Sequence, residues 1–310
     1  MIASFRGRVV ALVGATASGK TAAAVEVARR LPVEVVSADS RQVRAAMRIG
    51  TAAPTDEELA AVPHHLVGVV APDAPWSLAE FLARARGALE GIWGRGRLPL
   101  IVGGTGQYVW ALLEGWQPPA VPPDPALRAR LEDEAARCGP APLIEELRAL
   151  DPAALARVDQ RNPRRLIRAI EVARSAAAGA GPPPAVQAPD FASAVVGLRW
   201  DRERLHARAD ARVEAMYASG LLEETRALLD RYPPDLPAFQ SIGYAEAARV
   251  LRSGWDLVTA IERTRIETHR LIRMQATWFR ADDPRIRWVD GARVDDVVRA
   301  VEEAAASRVG

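Results

Sequence analysis

The chain has 310 residues, more than one hydrophobic core comfortably serves, which predicts one large domain carrying an insertion, or two domains. Hydrophobic residues make up 49% and charged residues 26%, the balance of a globular protein that folds without covalent staples. The 41 basic and 39 acidic side chains leave a net charge of only +2, and the basic ones are almost all arginine, so their placement is more informative than their number. The lone Cys138 excludes an internal disulfide and predicts a reducing, cytoplasmic setting. No run approaches the roughly 18 apolar residues of a membrane span, and the short run Val9 to Val13 lacks a signal-peptide cleavage region, so neither a membrane nor a targeting segment is expected.

In chain order, the first signal is Val9 to Val13, read as a strand. It is followed by Gly14-Ala15-Thr16-Ala17-Ser18-Gly19-Lys20-Thr21 and an Ala/Val-rich helix to Arg30. These eight residues fit G-x-x-x-x-G-K-[ST], a loop whose glycines let backbone N–H groups turn inward around phosphate oxygens. Lys20 adds positive charge, Thr21 offers a hydroxyl to a magnesium ion, and the ensuing helix contributes its positive dipole end. A strand at Val33 to Ser37 then runs into Ser37-Ala38-Asp39-Ser40-Arg41-Gln42. Ligands of open parallel sheets sit at the carboxyl ends of the strands, so Asp39 faces the phosphate loop from a neighbouring strand. There it does chemistry on the bound ligand, or it serves only to cap the next segment or to hold a magnesium-bound water.

Leu66 to Val70 and Leu98 to Val102 are the next expected strands. Between them Leu78, Phe81, Leu82, Ala85 and Leu89 fall at helical spacing. This alternation predicts an α/β core with a parallel sheet of the nucleotide-binding type. ATP-hydrolysing machines usually end another core strand in an acid that holds the magnesium shell. Here the strand ends in Gly103-Gly104-Thr105-Gly106-Gln107-Tyr108, which weakens that reading. Thr105 is left to hydrogen-bond an acceptor near Asp39, or to cap a helix from Gln107 to Leu113.

Pro118, Pro119, Pro122, Pro123 and Pro125 mark an exit from the core. Asp124 to Ala178 then reads as wholly helical, and Gly179 to Pro184 as a second breaker. Within this inserted segment Asn162 and Pro163 suit a helix start, with Arg161, Arg164, Arg165 and Arg168 on one face and Leu166, Ile167 and Ile170 opposite. Such a stripe tracks a phosphate backbone or is a solvated helix face. Strand character resumes at Ala194 to Leu198, and helical stretches run from Arg202 onward. Arg204, Arg208 and Arg212 recur at four-residue spacing, so that one of them can reach a diphosphate. Gln240-Ser241-Ile242-Gly243-Tyr244 opens a helical region ending in Arg273 to Arg280, and Val294, Val297, Val298 and Val301 keep helical spacing near the end. The four histidines show no metal-ligand spacing.

Taken together, Gly14 to Thr21, Ser37 to Gln42, Ile49-Gly50-Thr51-Ala52, Pro63-His64-His65-Leu66, Gly103 to Tyr108, Arg164 to Glu171, Gln240 to Tyr244 and Gln275 to Phe279 resemble, in order and spacing, the tRNA dimethylallyltransferase (IPP transferase) family over nearly the whole chain. The resemblance implies a P-loop NTPase-like parallel sheet flanked by helices, with an all-helical insertion. On that basis residues 1–118 are the first part of the core, 119–193 a tRNA-binding insertion and 194–310 the second part of the core with the C-terminal helices. It implies transfer of a dimethylallyl group from dimethylallyl diphosphate to the exocyclic amine of an adenine beside the tRNA anticodon, with magnesium on the leaving diphosphate.

By the same resemblance Asp39 is the general base, Thr105 and Gln42 contact the target base, and Lys20 and Arg212 serve the diphosphate held by Gly14 to Thr21. Asp39, Ser40, Arg41, Gln42, Thr105, Arg128, Arg164, Arg165, Leu166, Ile167, Arg168, Gln240 and Gly243 are the implied tRNA contacts. The chain departs from the family pattern at Ala15 (usually proline), Arg44 (frequently tyrosine), Ala53 (frequently lysine), Gln107 (frequently leucine) and Met274 (frequently arginine). Two other functions compete: a small-molecule P-loop kinase using ATP with Asp39 as base, and an RNA-binding module that keeps a nucleotide as structural support. A monomer with no obligate protein partner is expected.

Overall fold

The computed structural model describes residues 5–180 and 186–307. In chain order its elements are β1 (Arg8–Val13), α1 (Lys20–Ala28), β2 (Val33–Ser37), α2 (Asp56–Ala61), β3 (His64–His65), α3 (Leu78–Gly94), β4 (Leu98–Gly103) and α4 (Gly106–Leu113). Next come α5 (Pro125–Cys138), α6 (Ala141–Leu150), α7 (Pro152–Arg157), α8 (Pro163–Ser175) and β5 (Ala192–Arg199). The chain continues through α9 (Arg202–Ala218), α10 (Leu221–Leu229), α11 (Tyr244–Ser253), α12 (Leu257–Trp278), β6 (Ile286–Asp290) and α13 (Val294–Ala306). A π turn at Ala176–Ala180 follows α8; the remainder of the expected breaker, 181–185, lies outside the described residues.

The strands form one six-stranded parallel sheet in the order β3-β2-β4-β1-β5-β6. β1, β2 and β4 are rich in Val and Leu and almost wholly buried, as strands covered on both faces must be. One core layer joins Val10, Leu12, Val27, Val35, Leu100 and Val196 to Val297, Val298 and Val301 of α13, which packs on α1, β1 and β5. Each such buried aliphatic side chain stabilises the fold by about 1.5–3 kcal/mol. Arg8 donates to the carbonyl of Ala305 across the same layer. α3 presents Phe81, Leu82, Ala85, Leu89 and Ile92 inward and starts at Ser77, whose hydroxyl accepts from Glu80 N–H at 3.2 Å.

The expected strand Leu66 to Val70 does not form. Leu66 and Gly68 both adopt positive φ, 65° and 63°, which breaks an extended run. The edge strand is His64–His65, and Val70 makes only an isolated parallel bridge to Arg44. β6 was not expected, because its Ile-Arg-Trp-Val-Asp run lacks a clear apolar signature.

The chain divides into two compact units, residues 1–115 with 188–310, and residues 116–187. The second is all-helical among its described residues and has its own core of Leu131, Leu143, Leu147, Leu155, Leu166, Ile167 and Ile170. α8 begins where Asn162 caps it, its side chain accepting from Arg165 N–H, with Pro163 at the first helical position.

Candidate active site

The site is assembled at the carboxyl edge of the sheet from the ends of β1, β2 and β4. After β1, Gly14 has φ 152° and Gly19 φ 88°, and Ala17 is itself held at φ 63°. A Cβ on Gly14 would lie 3.1 Å from the Leu198 carbonyl, so glycine is what lets the loop pass β5. Gly19 caps α1 without a side-chain bond, leaving the first-turn N–H groups of the helix for an anion.

Lys20 folds back over the loop, its Nζ donating to the carbonyls of Ala15 (2.8 Å) and Gly14 (3.0 Å). Burial pushes its ammonium down from 10.5 to about 8; the Asp39 carboxylate pulls it back up and Arg212 adds to the lowering. That coupling puts Lys20, Asp39 and Arg212 in one electrostatic site. Thr21 stands in the first turn of α1.

Three side chains from just after β5 and from α9 brace the loop. Trp200 Nε1 donates to the Ser18 carbonyl at 2.9 Å. Arg208 Nε donates to the Ala17 carbonyl at 3.0 Å while its guanidinium stacks 4.3 Å from the Trp200 ring. Arg212 donates to the Thr16 hydroxyl, and its buried Nε has no hydrogen-bond partner among the described residues. Burial lowers the Arg212 pKa, with Asp39 opposing that shift and Arg208 adding to it.

Asp39 follows β2. Its Oδ1 accepts from the N–H groups of Arg41 (2.8 Å) and Gln42 (3.1 Å), a local turn that fixes the carboxylate. Its two neighbours are tied to Thr105: Thr105 N–H donates to the Ala38 carbonyl at 3.2 Å, and Ser40 N–H donates to Thr105 Oγ1 at 3.1 Å. Thr105 thus occupies the N-cap position of α4, but its hydroxyl bonds the Asp39 turn and makes no cap bond. Gly103 permits this approach, since a Cβ there would lie 2.2 Å from the Ala38 carbonyl.

Other implied contact residues also carry structural bonds. Gln42 spends its amide donors on the carbonyls of Ala52 (2.8 Å) and Thr51 (3.3 Å), so it holds the 49–53 loop. Glu224 and Tyr244 latch that loop from the other side, Glu224 accepting from Ile49 N–H at 3.1 Å and Tyr244 Oη from Gly50 N–H at 3.2 Å. Gly243 is buried against this latch and donates its N–H to Glu246 at 2.8 Å, while Gln240 is exposed.

In the helical unit the arginine face divides. Arg128 makes a bidentate pair with Glu171 (2.7 and 2.8 Å), and Arg168 bonds the same carboxylate at 3.1 Å and the Pro119 carbonyl at 3.2 Å. Burial pushes Glu171 up, but hydrogen bonds from Arg128, Asp124 N–H and Arg168 outweigh it and hold the carboxyl at about 2. Arg161 and Arg165 lie only loosely beside Asp159, at 3.7 and 3.9 Å, and Arg164 is exposed with no ion-pair partner among the described residues. Leu166 and Ile167 have their side chains in the core of the unit, which closes them to RNA in this packing.

Gln275 opens the last of the family-like segments, but nothing in the sequence gives it a role; its carboxamide reaches both Thr16 and Gly104. Local spacing does not reveal that bridge, because the partners lie 259 and 171 residues away. Among the described residues no three His, Cys, Asp or Glu side chains converge as metal ligands, and no helix is long and apolar enough to cross a membrane.

A parallel sheet with helices on its faces, a glycine-rich loop after the first strand and a lysine inside that loop define a P-loop phosphate-binding protein. The model of the IPP transferase family matches residues 42–282, and that of isopentenyl transferase matches residues 7–65. The chain belongs to the IPP transferase family. It is 50% identical to the tRNA dimethylallyltransferase of Chloroflexus aurantiacus over 272 residues, covering 87% of this chain and 92% of that protein. Identity to the tRNA dimethylallyltransferase of Thermomicrobium roseum is 44% over 286 residues, 92% and 87% of the two chains. The crystal structure of the tRNA isopentenylpyrophosphate transferase of Bacillus halodurans superposes with a TM-score of 0.71 at 33% identity, covering 97% of each chain.

Proposed function

We propose that this chain transfers a dimethylallyl group from dimethylallyl diphosphate to the exocyclic N6 amine of the adenine 3′-adjacent to the anticodon of tRNA, releasing diphosphate. The observation that carries this reading is Asp39, whose two flanking residues are tied to Thr105, beside a phosphate loop whose adjoining strand ends in Gly103-Gly104. An ATP-using kinase is disfavoured by that strand end and by the relatives.

Departure of diphosphate from an allylic carbon develops negative charge on the leaving group and positive charge on carbon. Lys20, the open N–H groups of α1 and Arg212 stand where that negative charge is met. The attacking amine becomes acidic as its new bond forms, so an ordinary carboxylate serves as its base. Oδ1 of Asp39 is taken by two N–H groups, which leaves Oδ2 to accept that proton. Thr105 orients the acceptor beside it. The Thr21 hydroxyl, in the first turn of α1 beside the loop, is an oxygen donor that would serve as the protein ligand of a Mg2+ ion carried by the diphosphate, whose oxygens and water would complete its shell. Bound there, the ion would supply Lewis-acid stabilisation of the leaving group.

Arg161, Arg164 and Arg165 supply the phosphate-tracking face for the tRNA, and Ser40 and Arg41 flank the base. The reaction belongs in the cytoplasm, in keeping with the unpaired, exposed Cys138. Incubating an anticodon stem-loop with dimethylallyl diphosphate and Mg2+ should add the mass of one dimethylallyl group to the target adenosine. A folded enzyme that leaves the RNA mass unchanged defeats the reading.

A further inference from the structure

Sheet pairing between β1 and β4 ends at Val13 and Gly103. Beyond that pair one strand runs into the phosphate loop and the other into Gly104 and Thr105, and a side chain of α12 spans the gap. Gln275, near the end of α12 and 8% exposed, accepts from Thr16 N–H through Oε1 at 2.7 Å and donates from Nε2 to the Gly104 carbonyl at 3.1 Å. A primary carboxamide carries the donor and acceptor of a peptide unit, so Gln275 supplies one more rung where the backbones have parted. Gly104 leaves the space for it: a Cβ there would stand 2.3 Å from Gln275 Nε2. With little water to compete, both bonds hold their geometry firmly.

We infer that Gln275 is a positioning residue for group transfer, fixing the spacing between the diphosphate loop and the Asp39–Thr105 edge; the inference rests on the prenyl-transfer reading above. Thr16 belongs to the leaving-group side and receives Arg212, whereas Gly104 immediately precedes Thr105 on the acceptor side. The reacting atoms must approach within about 3–3.5 Å, and a misplacement of about 1 Å lowers the rate on the order of a hundredfold. Gln275 touches neither reacting atom and acts through the two backbones it joins.

Gln275→Met keeps the length of the side chain and removes both bonds. In the full-length protein, with dimethylallyl diphosphate and an anticodon stem-loop, its single-turnover rate at saturation should fall about 10- to 100-fold while KM for the stem-loop stays within about twofold. Gly104→Ala displaces the same carboxamide from the β4 side and should slow transfer comparably. The double variant should fall no further than the slower single one. Gln275→Glu, which keeps the bond from Thr16 and loses that to Gly104, carries the same expectation where the methionine variant does not fold. No transfer by the folded wild type refutes the underlying reading alone. With an active wild type, a near-normal rate in Gln275→Met, a loss confined to KM, multiplying losses in the double variant, or a loss equal to the unfolded fraction seen by circular dichroism overturns the positioning role.

Discussion

Lys20 is the only lysine in a chain whose other basic side chains, histidine aside, are arginines. A compact ammonium stands at the one place where a single point charge donates to two loop carbonyls, a geometry that a planar, forked guanidinium does not reproduce. Burial leaves it titrating near 8, so amine-directed labelling of the Lys20 peptide, followed by mass spectrometry against pH, should show a midpoint about there. Bound diphosphate favours the charged form and should shift that midpoint upward and protect the residue; a free-enzyme midpoint at the ordinary 10.5 contradicts the site electrostatics. For Asp39, replacement by alanine should slow transfer by about 10²- to 10⁴-fold while diphosphate binding stays measurable by calorimetry. Near-normal single-turnover rates in that variant reject the base assignment. Lys20 and Asp39 were legible in the sequence because their spacing is local. The bonds that Trp200, Arg208 and Gln275 make to the loop were not, although Arg208 and Gln275 stood in marked segments, because each reaches it across more than 180 residues.

At the scale of elements, α8 shows how far periodicity carries. Its spacing gave the start at Asn162 and the buried Leu166, Ile167 and Ile170, but not how its arginines are used. Glu171, 3% exposed, lies one turn from Arg168 and takes both that residue and Arg128 into a structural ion pair. Removing one partner of a buried carboxylate leaves it undercompensated, so Arg128→Ala should destabilise the helical unit by about 2–3 kcal/mol in urea titrations of the full-length protein. Replacing Arg164 and Arg165 by alanine should leave stability almost unchanged. It should weaken stem-loop binding and reduce the slope of log affinity against log salt by about one per arginine. An unchanged slope assigns the pair to a merely solvated face. The strand expected at Leu66 to Val70 failed for a comparable reason: apolar composition was visible, whereas the positive φ at Leu66 was not.

For the whole molecule, each unit carries an acid held far below its ordinary range. In the sheet unit, Glu34 is kept at about 2 chiefly by its hydrogen bonds from Arg95, against the opposing effect of burial and with help from His65. Glu171 does the same in the helical unit. A carboxyl depressed in the folded state stabilises above its unfolded value, and that stabilisation is lost as pH falls towards the folded value. The melting temperature should therefore be nearly flat from neutral pH to about 5 and drop as pH falls from 4.5 towards 2, with the drop reduced in Glu34→Gln. A melting temperature indifferent to pH over that window would show both ion pairs to be energetically idle. Strand–helix alternation made the parallel sheet legible at this scale, but not the order of its strands, which local composition does not encode.

The contact of Arg8 with Ala305 joins residues 297 positions apart, and α13 forms the backing of the layer on which the phosphate loop stands. A ribosome adding about 5–20 residues per second needs on the order of 15–60 s to travel from one to the other. Throughout that interval Val10, Leu12 and Val27 are without the valines that finally cover them. During synthesis the nascent chain thus carries its ligand motif from the outset and the means to hold it rigid only much later, so translation itself delays the moment at which the loop becomes competent.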